Sequence, residues 1–289
     1  MVELVRTTTD CNDNDPNAHP NANPRCFVDA DCDGSEETSH CTVSETKIVS
    51  ETNQSSTEGS LATISCDENW IMTGCTCYES HQGCQRGSFM KKESDSSITC
   101  NAYNATNNAV TVSAKCLHIG PSENTSRFMI NYALSIDTSS ISTTADDNST
   151  TISCNSAYTM TGCSCYSEGN SCGDGAYITS ENSCLAKADG DGYGVYAIAT
   201  CLRLDGEYSL TASNKKGAES GSSDNASSTA QCSENYFATG CSCYTAYGLC
   251  DDGAKFSSNN SCVAYRDSQA NTGHSDKTVA AYARCLKVE

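Results

Sequence analysis

Two residue types stand in this sequence at spacings that carry chemistry: cysteine and aspartate. Three segments, Cys66 to Tyr78 (CDENWIMTGCTCY), Cys154 to Tyr166 (CNSAYTMTGCSCY) and Cys232 to Tyr244 (CSENYFATGCSCY), share one frame. In each, an aromatic residue (Trp70, Tyr158, Tyr236) precedes by five positions a cysteine that follows Thr-Gly, and another cysteine comes two residues later. A fourth cysteine follows at a constant distance (Cys84, Cys172, Cys250), then a fifth (Cys100, Cys184, Cys262) and a sixth (Cys116, Cys201, Cys285). Paired C-x2-C knuckles are missing from the repeats and the five histidines are scattered, so this chemistry is disulfide formation rather than zinc binding. The 22 cysteines divide as four plus three sets of six. That density belongs to an oxidising compartment, which places the protein outside the cell. Spacing alone leaves fifteen pairings open per repeat, and three for Cys11, Cys26, Cys32 and Cys41.

The aspartates concentrate in residues 10–41. Asp29, Asp31 and Asp33 followed by Gly34 form D-x-D-x-D-G, in which alternate oxygens converge on a hard cation while the glycine turns the chain. Asp10, Asn12, Asn14 and Asp15 repeat the idea less regularly. An EF-hand needs a bidentate Glu at the twelfth loop position; His40 stands there, so this is not an EF-hand. Cys11 to Pro20 (CNDNDPNAHP) and Asp31 to Gly34 (DCDG) resemble the Asp/Cys-rich metal-binding repeats of bacterial surface proteins, and more loosely thrombospondin type 3 repeats. Ligand chemistry and resemblance both imply structural Ca2+; the competing reading is a solvated acidic loop held by two disulfides.

The elements that position these residues read as strands. LATIS (61–65) leads into Cys66, AVTVSAKCL (109–117) alternates up to Cys116, and Lys47 to Val49 precedes them. The second copy offers RFMINYALSI (127–136), Thr151 to Ser153 and GVYAIATCLRL (194–204); the third Tyr208 to Ala212, Ser228 to Gln231 and TVAAYARCLKV (278–288). No helix is required. The near-continuous small-apolar runs VYAIA and VAAYA imply burial on both faces, which three repeats packed about a shared centre provide. The Ser/Thr/Asp-rich stretch 137–150 reads as a solvated loop, and Gly190, Gly192 and Gly194 as a hairpin. The expected organisation is an N-terminal strand at 1–9, the Asp/Cys-rich segment at 10–42, and repeats at 43–119, 120–205 and 206–289. Small units with 37% apolar residues depend on cross-links.

The formal charge of −19 excludes phosphate-backbone binding, which needs clustered Lys and Arg, and favours solubility and divalent cations. No run of about 18 apolar residues exists to span a membrane. MVELVRTTTD has no signal-peptide core, so the expectation for a secreted protein is that the signal has been lost or that this is the mature form. Asn53, Asn104, Asn124, Asn148, Asn225 and Asn259 each begin an Asn-x-Ser/Thr glycosylation triplet.

The succession of TGCS, NSC and a VYAIATC-like strand resembles the C-terminal cysteine-rich domain of the proprotein convertase that regulates the LDL receptor, whose modules are similar to the resistin head. The resemblance spans about residues 44–289 and is closest at GVYAIATC (194–201). It implies an all-β fold: three disulfide-rich, six-stranded β-sandwich repeats about a pseudo-threefold axis, after the extended N-terminal strand and the Ca-binding-like loop segment. It also implies the pairings Cys66–Cys116, Cys75–Cys100, Cys77–Cys84, Cys154–Cys201, Cys163–Cys184, Cys165–Cys172, Cys232–Cys285, Cys241–Cys262 and Cys243–Cys250. The histidine richness of that domain is absent, so a pH-dependent receptor role does not carry over.

No catalytic constellation stands out: His19, His40, His81, His118 and His274 lie in dissimilar contexts, and no serine sits in a nucleophile elbow. The expected function is a secreted, glycosylated, non-enzymatic subunit of an extracellular filament, its partner being itself, head to tail. The arm residues Val2, Leu4 and Val5 would pair with a sheet edge of the next copy. The alternative is a protein- or glycan-binding adhesion module using some of the 14 tyrosines. Tyr78, Tyr166 and Tyr244, fixed after each third cysteine, read first as disulfide-packing residues.

Overall fold

The computed structural model describes residues 45–53, 59–67, 70–79, 83–94, 97–106, 109–118, 132–141, 148–169, 172–188, 193–205, 209–223, 225–245, 250–267 and 277–289. The arm (Val2, Leu4, Val5), the metal-ligand candidates Asp10, Asn12, Asn14, Asp15, Asp29, Asp31 and Asp33, Cys11, Cys26, Cys32 and Cys41, Asn124 and residues 189–192 lie outside them.

Every regular element among the described residues is a strand. The first unit holds β1 (Glu45–Asn53), β2 (Leu61–Ser65), β3 (Ile71–Tyr78), β4 (Ser88–Ser94), β5 (Ser97–Tyr103) and β6 (Val110–His118). The second holds β7 (Tyr132–Ile141), β8 (Ser149–Ser153), β9 (Thr159–Tyr166), β10 (Ala176–Ser180), β11 (Ser183–Lys187) and β12 (Val195–Leu204). The third holds β13 (Leu210–Lys216), β14 (Ser227–Gln231), β15 (Phe237–Tyr244), β16 (Ala254–Ser258), β17 (Ser261–Tyr265) and β18 (Ala280–Val288).

Each unit pairs two three-stranded antiparallel sheets, β1-β6-β3 over β2-β5-β4 in the first, and the same order recurs in the other two. The outer sheets alternate: β14 runs exposed, buried, exposed, buried, exposed. The inner central strands do not, since β12 is buried at eight of its ten positions. The cause is packing on both faces. One face of β12 meets its own outer sheet in a core of cysteines, alanines, Met160 and Val195. Leu202 on the same strand joins Ile71, Leu117, Leu204, Leu286 and Val288 in a cluster drawn from all three units. Burial of each such side chain contributes about 1.5–3 kcal/mol.

Eighteen described cysteines form the nine disulfides Cys66–Cys116, Cys75–Cys100, Cys77–Cys84, Cys154–Cys201, Cys163–Cys184, Cys165–Cys172, Cys232–Cys285, Cys241–Cys262 and Cys243–Cys250. In each unit two of them tie the outer sheet, or the residue just after its first strand, to the inner sheet; the third closes a small loop after β3, β9 or β15. Loop entropy gives roughly 4 kcal/mol for the longest closures and roughly 2.5 for the shortest.

The first strand of every unit runs past the sequence reading: Lys47 to Val49 lies within β1 (Glu45–Asn53), and the strand expected at Tyr208 to Ala212 continues to Lys216 in β13. In the second unit RFMINYALSI (127–136) marks the expected strand, and β7, described from Tyr132, runs on to Ile141 in the polar stretch expected as loop. All ten β12 residues require partners, from Val195 opposite Ile141 to Leu204 opposite Tyr132. An edge strand tolerates Ser and Thr on its wet side, so ladder length outweighs composition.

Candidate functional site

The Thr-Gly pair of each cysteine frame lies where the three units meet. Thr161 Oγ1 donates to the Thr73 carbonyl at 3.0 Å, Thr239 Oγ1 to the Thr161 carbonyl at 2.9 Å, and Thr73 Oγ1 reaches the Thr239 carbonyl at 3.5 Å. The contacts close a ring about a pseudo-threefold axis. The following glycines permit the approach. A Cβ on Gly162 would stand 2.8 Å from the Thr73 carbonyl oxygen, one on Gly240 2.8 Å from that of Thr161, and one on Gly74 would overlap the Thr239 carbonyl.

A second ring lies where the small disulfide loops meet the neighbouring tyrosines. Tyr166 bridges Gly87, Tyr244 bridges Gly175 and Tyr78 bridges Gly253, each tyrosine pairing with another unit's loop. The three glycines sit at φ 71°, 77° and 76°, and a side chain there would also overlap the carbonyl of Cys165, Cys243 or Cys77. Ser167 N donates to Arg86 O at 3.0 Å, Thr245 N to Asp174 O and Glu79 N to Asp252 O, both at 3.1 Å. The tyrosine rings pack across the same seams: Tyr166 lies 4.6 Å from Phe89, Tyr244 4.2 Å from Tyr177 and Tyr78 4.6 Å from Tyr265. Lys255 Nζ stands 4.0 Å over Tyr78 and the Arg86 guanidinium 4.7 Å over Tyr103. Burial raises the hydroxyl pKa of Tyr78, Tyr166 and Tyr244 above the usual tyrosine value. These residues are half-buried between units rather than enclosed within their own repeat.

Sequence reasoning missed a third set. On the central strands, Lys115, Thr200 and Arg284 occupy equivalent positions, each nearly inaccessible. Lys115 Nζ donates to the Asn259 carbonyl at 3.3 Å and to its Oδ1 at 3.2 Å. Arg284 donates to Met160 O at 2.7 Å and Glu181 O at 2.5 Å in the second unit, and to Asn214 Oδ1 at 2.6 Å. Thr200 Oγ1 contacts Met90 Sδ at 3.0 Å. Burial pushes Lys115 down to about 8 and Arg284 down to about 10. A lone Lys or Arg within an otherwise small or apolar central strand is the signal that could have flagged Lys115 and Arg284.

Residues of all three small loops, with Thr76, Ser88, Ser164 and Ser242, line a cavity of about 40 Å3 where the units meet. That is room for a few waters and far below a small-molecule pocket. Among the described residues no cluster of three or more His, Cys, Asp or Glu is placed to hold a metal. No helix among them is long and apolar enough to cross a membrane. The glycosylation triplets differ sharply. Asn104 is wholly inaccessible, Asn148 half-buried, Asn225 and Asn259 exposed, and Asn53 ends β1.

Comparison with curated proteins finds no match to the chain. Residues 134–205 match the family model described as the proprotein convertase subtilisin-like/kexin type 9 C-terminal domain, a non-catalytic domain. The matched stretch covers most of the second unit, whose strand order and disulfide pattern the first and third units repeat. With nine disulfides among the described residues and that match, the chain has the character of an extracellular protein built of tandem disulfide-rich sheet pairs, the second of them similar to that C-terminal domain.

Proposed function

We propose that the protein is a structural subunit that joins head to tail into an extracellular filament, residues 1–9 adding as a strand to an open sheet edge of the next copy. One observation carries the reading. The units use β3, β9 and β15 to close on one another, while the opposite inner-sheet edges β1, β7 and β13 each have a single hydrogen-bonded neighbour among the described residues. Such an edge offers a row of unpaired N–H and C=O groups to an incoming strand. Val2, Leu4 and Val5 supply apolar side chains to an arm of the required length. A contact between arm and edge is heterologous, so it propagates rather than closes unless the geometry forms a ring. Calcium bound by Asp10, Asn12, Asn14, Asp15, Asp29, Asp31 and Asp33 would stiffen the joint between arm and body.

The test is electron microscopy of the full chain and of a variant lacking residues 1–9, each with calcium and with chelator. Filaments of the full chain in calcium that loosen on chelation, and single particles for the shortened variant, are expected. Filaments formed without residues 1–9 overturn the arm; monodisperse full-length particles in every condition overturn the filament. A second reading, an extracellular recognition module, draws on the half-buried tyrosines and cations of the seams. Saturable binding of a glycan or protein by a monodisperse chain would favour it.

A further inference from the structure

The six Asn-x-Ser/Thr triplets are equivalent in sequence, and the fold separates them. Asn104 has 0% exposure. Its Oδ1 accepts from the Thr106 backbone N–H at 3.0 Å and lies 3.5 Å from the Thr106 hydroxyl, so the triplet is folded back on itself inside the first unit. Its backbone N–H donates to Ser60 O at 2.8 Å and its carbonyl accepts from Gly59 at 2.9 Å. A sugar on this side chain has no route to solvent without breaking that loop.

Asn225 and Asn259 are the opposite case. Asn225 stands exposed in a turn at φ 58°, a conformation asparagine adopts more readily than most residues, two residues before exposed Ser227 opens β14. Asn259 is exposed in the turn between β16 and β17. Its backbone carbonyl accepts from Ala238 N at 2.9 Å, and its Oδ1 from Lys115 Nζ at 3.2 Å. Those contacts use oxygens only, so substitution at Nδ2 leaves the link to the first unit intact.

We propose that Asn225 and Asn259 carry N-linked glycans and that Asn104 carries none. In the transfer, the side-chain amide nitrogen bonds to the anomeric carbon of a lipid-diphosphate-linked oligosaccharide. The nitrogen loses a proton and the lipid diphosphate departs with the electron pair of the broken C–O bond. Transfer acts on the emerging chain, and the fold then selects: a glycan at Asn104 blocks closure of the first unit, whereas those at Asn225 and Asn259 are tolerated. Ser227 pairs with Tyr265 and Gln231 with Ser261, so the two glycans stand at opposite ends of the β14-β17-β16 sheet, about 15 Å apart along the strands. They bracket the outer sheet of the third unit and keep other copies from packing flat against it. The inference does not depend on filament formation.

The experiment is site mapping on the full chain secreted through a eukaryotic pathway. The reduced, alkylated and digested protein is treated with peptide-N-glycosidase in heavy-oxygen water, which converts each glycan-bearing asparagine to labelled aspartate. Label at Asn225 and Asn259 with none at Asn104 is expected. Label at Asn104, or its absence at either Asn225 or Asn259, overturns the assignment.

Discussion

Lys115 shows how one side chain can hold two units together at an electrostatic cost. Its ammonium is buried against Asn259 and 5.7 Å from the Phe256 ring, and burial lowers its pKa from 10.5 to about 8. Because the folded value lies below the unfolded one, the unfolded chain binds more protons between about pH 8 and pH 10. The Lys115 contribution to stability therefore rises with pH across that window, before ionisation of the seam tyrosines, whose folded pKa values are raised, opposes it. Lys115→Met keeps the stem and removes the charge. Its stability at pH 7 should lie within about 1 kcal/mol of the parent, and its pH profile from 8 to 10 should be flatter. Denaturant midpoints at several pH values measure both; an equally steep profile in the variant removes Lys115 as the cause.

At the scale of elements, β3, β9 and β15 serve their own sheets and the axis at once, and the Thr-Gly pair is the reason. Ala at Gly74 would drive its Cβ into the Thr239 carbonyl, a backbone group that cannot swing aside. Gly74→Ala should cost roughly 2 kcal/mol or more, within the range of overpacking. Gly221, whose added Cβ would meet nothing closer than 3.8 Å, is the control: its Ala variant should change stability by less than about 0.5 kcal/mol. Equal thermal shifts for the two would mean the axis yields freely. Sequence showed this pair three times without showing its purpose, because a glycine required by a neighbour 165 residues away looks the same as one required by a local turn. Strands β2, β6, β12 and β18 were legible from alternation or apolar runs. Strands β4, β5, β10, β11, β16 and β17 were not, since their short, mixed segments take their strand state from the ladders that flank them.

At the scale of the molecule, the described residues form a closed arrangement of three lobes, each donating contacts to one neighbour and accepting them from the other. Removing one lobe should therefore expose two seams. A chain ending at Asp205 leaves Ile71, Leu117, Leu202 and Leu204 without Leu286 and Val288. It should self-associate in sedimentation, as newly exposed apolar patches do. A monodisperse two-lobe monomer with an unchanged melting temperature would mean that the units stand alone. The sequence by itself determined the all-β class, the threefold repetition and the cross-linked, extracellular character, because cysteine spacing and strand period are local and survive being read one residue at a time. Only the tertiary structure decided that the tyrosines bind neighbours, that Lys115 and Arg284 bridge units, and that Asn104 is sealed while Asn225 and Asn259 are exposed. Each of these depends on which surfaces meet across the axis, and burial is a property of the meeting rather than of the residue.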